Sequence, residues 1–120
     1  MKYILESQIK TYLKLKKSLA AFCKIDKYFE FTTFNWFYLS GTPSECTVRL
    51  YKSYDEGNEF YCDVMGFSTV NEDDEIEDEF LTGHLDDCLE WLESKGGNKH
   101  KIFHSSMIDQ LYENWKKENI

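Results

Sequence analysis

Residues 28–39, YFEFTTFNWFYL, are the stretch that decides the fold. Seven of these twelve residues are aromatic, four are polar and one is leucine. Aromatic residues and threonine favour strands over helices. Because aromatic side chains fall at both odd and even positions, neither face of the strand is purely polar. The stretch therefore predicts a strand that is covered on both faces.

A hairpin is predicted after this strand and the SGTPS turn at residues 40–44. Residues 47–54 (TVRLYKSY) alternate between apolar and polar side chains, as a strand with one buried face does. Residues 55–58 (DEGN) have the composition of a hairpin loop, and residues 59–67 (EFYCDVMGF) are predicted to return as the third strand. The apolar face of this last strand would carry Phe60, Cys62 and Val64.

An amphipathic helix is predicted over residues 5–25, because apolar residues recur there at steps of three and four. A second helix follows the acidic run at 71–79, with Thr82 as its N-cap and Gly96-Gly97 as its end. Ser105 or Ser106 is expected to cap a third helix. Its apolar side would consist of Ile108, Leu111, Tyr112 and Trp115.

These elements predict an α+β fold with the order α-β-β-β-α-α. It consists of an N-terminal amphipathic helix, a three-stranded antiparallel sheet and two C-terminal helices. The 120 residues predict a single domain, 1–120, since domains cluster near this length.

Composition excludes several classes of protein. No apolar run approaches the roughly 18 residues that a membrane span needs. A secretory segment is also absent, so a cytoplasmic protein is expected. The four cysteines lie among apolar residues with no Cys-x-x-Cys motif, which favours reduced thiols over a disulfide framework. They are Cys23, Cys46, Cys62 and Cys88.

Charge is segregated along the chain. The formal net charge is −8, yet the first 30 residues hold seven lysines and three acids, a net +4. The other 90 residues have a net charge of −12. Residues 53–94, which we call the acidic segment, contain fifteen acids and no Lys or Arg. Such a block repels itself, and helix-dipole interactions offset only a few of its carboxylates.

Two interpretations of the acidic segment remain open. It forms either a solvated, solubilising surface or a patch that meets the basic surface of a partner. In the second case charge steers association and exposed aromatic residues hold the complex. The acids expected to face the partner are Glu72, Asp73, Asp74, Glu75, Glu77, Asp78, Glu79, Asp86, Asp87, Glu90 and Glu93. The candidate aromatic anchors are Tyr54 and Trp91, followed by Tyr51, Tyr61 and Tyr112.

Direct binding of nucleic acid is not expected, because acids outnumber bases 22 to 14 and the chain has a single arginine, Arg49. A helix–three-strand–helix order resembles that of double-stranded-RNA-binding domains in topology alone. The second helix of such a domain needs basic residues, and this chain has four acids there.

The leading hypothesis is a small acidic inhibitor that occludes the basic, nucleic-acid-handling surface of a target protein, such as a nuclease. A toxin-immunity protein and a phage anti-defence or anti-CRISPR protein both fit this description. One alternative is a structural or assembly module that forms homo-oligomers such as a homodimer, with the basic first helix and residues 28–38 at the interface. Neither an enzyme nor a cofactor is predicted.

The other alternative is a zinc-binding protein. His84 and Cys88 are four residues apart, as are His100 and His104, and zinc prefers such nitrogen and sulfur ligands. Cys88, however, belongs to the apolar stripe of the second helix, and a cap at Ser105 would break the helical spacing of the later pair. The sequence favours a core cysteine and surface histidines. An EF-hand starting at Asn71 also fails, because Ile76 stands where glycine is required.

Overall fold

The aromatic stretch forms the middle strand of a five-stranded antiparallel sheet. This strand, β2 (Phe31–Gly41), pairs with β1 (Leu19–Tyr28) on one side and with β3 (Cys46–Tyr54) on the other. The order across the sheet is β4-β3-β2-β1-β5, with β4 (Glu79–Gly83) and β5 (Ile102–His104) at the edges. Residues 34–37 are all buried, which confirms the prediction of a strand covered on both faces.

Four helices accompany the sheet among the described residues, which are 2–58, 60–73 and 77–118 of this computed structural model. They are α1 (Glu6–Lys14), α2 (Val70–Asp73), α3 (Leu85–Ser94) and α4 (Ile108–Glu118). Short 3-10 turns lie at Val64–Gly66 and Ser105–Met107. The α+β class is confirmed.

The first sheet face packs against α1 and α3. Phe37 and Leu39 of β2 meet Ile9 of α1 and Leu92 of α3 in this core, and all four side chains are fully buried. The apolar residues of α3 recur at steps of three and four, so they lie on one side of the helix, which faces the sheet. These residues form the apolar stripe of α3 and are Leu85, Cys88, Leu89 and Leu92.

The second sheet face packs against α4 and the turn at Val64–Gly66. Phe34 and Trp36 of β2 meet Ile108 and Tyr112 of α4 there. Leu111 and Trp115 pack against this core from its margin, so the predicted apolar side of the last helix is confirmed. The sheet therefore separates two hydrophobic layers.

The predicted helix over 5–25 was too long. It ends at Lys14, and residues 19–28 form β1 instead. Lys16 adopts a positive φ of 59°, which turns the chain out of the helix. Leu19, Ala20 and Ala21 are then fully buried on alternating faces of the sheet, an arrangement that a helix could not provide.

The predicted strand over 59–67 was wrong, and Glu59 lies outside the described residues. Asn58 Oδ1 accepts the N–H groups of Phe60 and Tyr61, which makes a tight turn. A 3-10 turn follows, in which Val64 N–H donates to the Asp109 side chain of α4 at 2.9 Å. The predicted alternation fails because Phe60 is 90% exposed.

The sheet has five strands rather than three. The prediction lacked the short edge strands β4 and β5 as well as β1. Thr82 lies on β4 and hydrogen-bonds Thr47 across the strands, so it does not cap α3. The N-cap of α3 is His84, whereas the predicted stop at Gly96 is confirmed by its φ of 103°.

Two further predictions can be compared with the structure. All four cysteines are free thiols, as predicted. Across the described part of the chain, no helix combines the length and the apolar character that crossing a membrane requires.

Candidate functional site

The acidic residues of α3 lie on its outer surface. Because the apolar stripe of α3 faces the sheet, the remaining positions point outward, and four of them are acidic and exposed. We call these four, Asp86, Asp87, Glu90 and Glu93, the acidic face. Asp86 and Asp87 occupy the first turn, where carboxylates interact favourably with the helix dipole.

The carboxylates of the acidic face are largely unpaired. Within residues 2–58, 60–73 and 77–118, Asp86, Asp87 and Glu90 form no ion pair. Glu93 lies 4.0 Å from Lys99 Nζ, at the outer limit of such a contact. The acidic face thus presents charge that the described residues do not neutralise by contact.

The basic helix α1 borders this surface. Lys10 and Lys14 of α1 and Asp86 and Leu89 of α3 line a groove of about 560 Å³ between the two helices. Among the described residues these lysines make no ion pair with α3. Their charge therefore reduces the negative potential at the acidic face while its carboxylates stay exposed. The structure therefore brings the basic and acidic segments together on one sheet face.

The acids that precede and begin β4 are divided between the two sheet faces. Asp78 pairs with Arg49 at 2.6 Å on the second face. Glu79 lies on the first face between Lys52 (2.9 Å) and Lys95 (3.4 Å). The hydrogen bond from Lys52 lowers the pKa of Glu79 despite its partial burial. These two carboxylates are already engaged within the chain and offer less charge to a partner.

The remaining predicted acids fall around α2. Glu72 on α2 and Glu77 before β4 are exposed. The side chain of Asp73 and the whole of Asp74 and Glu75 lie outside the described residues.

The two leading aromatic candidates lie at different places along the sheet. Trp91 of α3 packs edge-on against Phe37, with ring centroids 6.2 Å apart, and Lys95 lies over its ring. Tyr54 ends β3, four residues beyond Leu50, which is the last β3 residue paired with β4. Trp91 is thus beside the acidic face and Tyr54 is not.

The further aromatic candidates differ in accessibility. Tyr112 is fully buried, so it is not a surface anchor, and Tyr51 is stacked on Trp36 with centroids 4.9 Å apart. Tyr61 is exposed, beside the turn at Asn58.

Three of the four candidate zinc ligands have other partners, and the fourth, His84, is the exposed N-cap residue of α3. His100 faces Glu6 at 3.6 Å, and His104 Nδ1 contacts Ser106 Oγ at 2.8 Å. Cys88 is buried on the side of α3 that faces the sheet, and burial raises the pKa of its thiol, which disfavours the thiolate that binds metals. Among the residues described, no three His, Cys, Asp or Glu side chains form a group that could hold a metal ion.

A pocket that was not predicted lies at the tip of the β1–β2 hairpin. We call it the tip pocket. Its volume is about 480 Å³, and it is lined by Glu30, Phe31, Thr32, Tyr54, Asp55 and Glu56. The prediction of one strand over residues 28–39 leaves no room for this pocket, because Phe29 and Glu30 form the loop that joins β1 to β2. The available signal was Glu30, a charged residue between two aromatic ones.

Comparison of the chain with protein-family models, with curated proteins and with solved structures finds no match.

Proposed function

We propose that the protein binds a partner protein with a basic, nucleic-acid-handling surface and inhibits it by occlusion. The acidic face on α3 is the surface that would meet the partner. Immunity against a toxin nuclease and phage anti-defence activity are the two biological forms of this proposal.

The observation that supports this proposal best is the set of exposed carboxylates at Asp86, Asp87 and Glu90, which have no cationic partner among the described residues. The buried stripe of α3 fixes the helix on the sheet, so the charges are held on a rigid element. Preorganised charge of one sign accelerates association with a surface of the opposite sign.

Charge reversal tests this proposal. The target is first isolated by pull-down from source or host lysate, and association is then followed with the purified target. Reversal at Asp87→Lys and Glu90→Lys should slow association by about tenfold to a hundredfold, since steering is electrostatic. The effect should shrink as salt is raised, because exposed charges are screened.

The matched control carries the same change in charge on α4, as Glu113→Lys and Glu118→Lys. This control should leave association close to the unmodified rate. If both pairs of substitutions slow association equally, net charge alone is responsible and the acidic face is not the binding surface. Native mass spectrometry of the protein alone tests the assembly alternative, since a stable homodimer would favour it.

A further inference from the structure

We infer that the tip pocket receives a cationic side chain of the partner protein, an arginine in preference to a lysine. This inference rests on the proposed function, because the basic partner supplies that side chain. It adds a second contact, at the end of β3 where Tyr54 lies.

The aromatic wall of the tip pocket is accessible. Phe31 is 56% exposed and packs edge-on against Tyr54, with ring centroids 5.8 Å apart. Beside the pocket, Phe29 is 83% exposed. A planar guanidinium binds aromatic faces and is more weakly hydrated than an ammonium group, so it loses less on entering such a site.

The pocket also carries negative charge that is held in place. Asp55 accepts hydrogen bonds from Tyr112 and Lys116 of α4, and Glu56 accepts one from Ser68 N–H. Glu30 adds a carboxylate that forms no ion pair with any described residue. Lys116 pairs with Asp55 at 2.7 Å, so Glu56 and Glu30 supply the negative charge that makes the pocket complementary to a cation.

A smaller cavity beside β1 and β2 fits a cation less well. It lies on the first sheet face, has a volume of about 100 Å³ and contains the unpartnered Oδ1 of buried Asn35. Asp26, Lys27 and Lys52 line it, so the two lysines outweigh the one carboxylate and oppose a cationic ligand. No lysine or arginine lines the tip pocket.

Titration with small probes tests the tip pocket without the partner. N-acetyl-arginine amide, its lysine counterpart and the uncharged N-acetyl-citrulline amide are added to the isotopically labelled protein and followed by amide NMR. The arginine compound should shift the amides of Phe31, Thr32, Asp55 and Glu56, whereas the citrulline compound should not. The lysine compound should bind more weakly.

Variants separate ring and charge contributions. Phe31→Leu keeps an apolar side chain but removes the aromatic face, and Glu30→Gln removes the unpaired charge. Each should weaken arginine binding by about threefold. Glu113→Gln on α4 is the control and should leave the affinity unchanged. Because Phe31 and Glu30 are exposed, these variants are expected to fold.

Several results would overturn the inference. The first is that the citrulline compound shifts the same amides equally, and the second is that the lysine compound binds as tightly as the arginine compound or more tightly. The others are amide shifts confined to α3, amide shifts spread evenly over the acidic residues, and no amide shifts at all. Shifts confined to α3 would leave the acidic face supported while removing the tip pocket. Conversely, specific arginine binding at the tip together with equal effects of the two charge-reversal pairs would remove the acidic face alone.

Discussion

Tyr112 links the loop after β3 to the last helix. Its ring lies edge-on against Phe34 and Phe67, with centroids 5.3 and 5.0 Å away, inside the core of the second sheet face. Its hydroxyl donates to the carboxylate of Asp55 and accepts the N–H of Gly57 at 3.0 Å. One residue therefore combines core packing with the hydrogen bonds that hold one wall of the tip pocket.

Tyr112→Phe should lower the free energy of unfolding by about 1–3 kcal/mol, because the substitution leaves Gly57 N–H without its acceptor and Asp55 with one donor fewer. Urea denaturation measures the change. Tyr3→Phe is the control, since Tyr3 is exposed and its hydroxyl forms no hydrogen bond with the described residues. An equal loss in both variants would mean that the Tyr112 hydroxyl has no special role.

The same substitution should change the response to alkaline pH. Burial, and then the hydrogen bond to Asp55, raise the pKa of Tyr112 above its ordinary value of 10.0. The folded state thus keeps this proton more tightly than the unfolded state does. The resulting stability is fully present below about pH 10 and is lost as pH rises further. Above pH 10, unfolding free energy should therefore fall more steeply in the unmodified protein than in Tyr112→Phe.

Two helices end in the same hydrogen-bonding motif with different residues. At the end of α3, Gly96 N–H donates to Glu93 O (3.1 Å) and Gly97 N–H to Leu92 O (2.9 Å). At the end of α1, Lys16 N–H donates to Leu13 O (2.9 Å) and Lys17 N–H to Tyr12 O (3.0 Å). Both ends are Schellman motifs, whose turning residue has positive φ and is usually glycine.

Lys16→Gly should raise the free energy of unfolding by about 1 kcal/mol, since glycine adopts positive φ without the steric cost that lysine carries. The reverse exchange at the matching position, Gly96→Ala, should lower it by a similar amount. Thermal and urea denaturation of the two variants provide the measurement. A loss of stability in Lys16→Gly would show that the lysine side chain contributes more than its backbone strain removes.

This motif explains which elements could be predicted from the sequence. The end of α3 was predictable because glycines mark it, whereas Lys16 gives no such signal and the helical pattern continued into β1. The prediction of a strand over residues 59–67 was wrong for a different reason. The turns in this stretch depend on the side chains of Asn58 and Asp109. Asp109 lies 45 residues after Val64, and a local alternation of apolar and polar residues carries no information about so distant a contact.

The part of the candidate site that depends on the local sequence pattern could be predicted. The stripe of α3 places Asp86, Asp87 and Glu90 on the surface, and the sequence suffices for that conclusion. The pairing of Asp78 with Arg49 depends instead on the register between β3 and β4, which the sequence analysis did not contain. The tip pocket likewise depends on β2, β3 and α4 meeting at one end of the sheet.

For the whole molecule, the net charge of −8 is less informative than its distribution. The basic α1 lies beside the acidic α3, and the acids at 78 and 79 are paired within the chain. These arrangements offset part of the repulsion in the acidic segment. Among the described residues, the unpaired carboxylates of Asp86, Asp87 and Glu90 lie together on α3, and their proximity has a consequence for stability.

Glu90 lies within three or four positions of the three other acids of the acidic face, and each such like-charge pair destabilises a helix by about 0.2–0.5 kcal/mol. Glu90→Gln should therefore raise the free energy of unfolding by about 0.6–1.5 kcal/mol at low salt. Because salt screens exposed charges, the gain should shrink at high ionic strength. Urea denaturation at low and high sodium chloride measures both effects.

Glu113→Gln is the matched control, because Glu113 pairs with Lys117 at 3.1 Å and should lose a little stability on neutralisation. A residue whose neutralisation stabilises the fold while slowing association with the target contributes to binding at the expense of stability, as functional surfaces commonly do. If Glu90→Gln instead destabilises the protein, the acidic face contributes to folding. Its charge would then no longer argue for a basic partner.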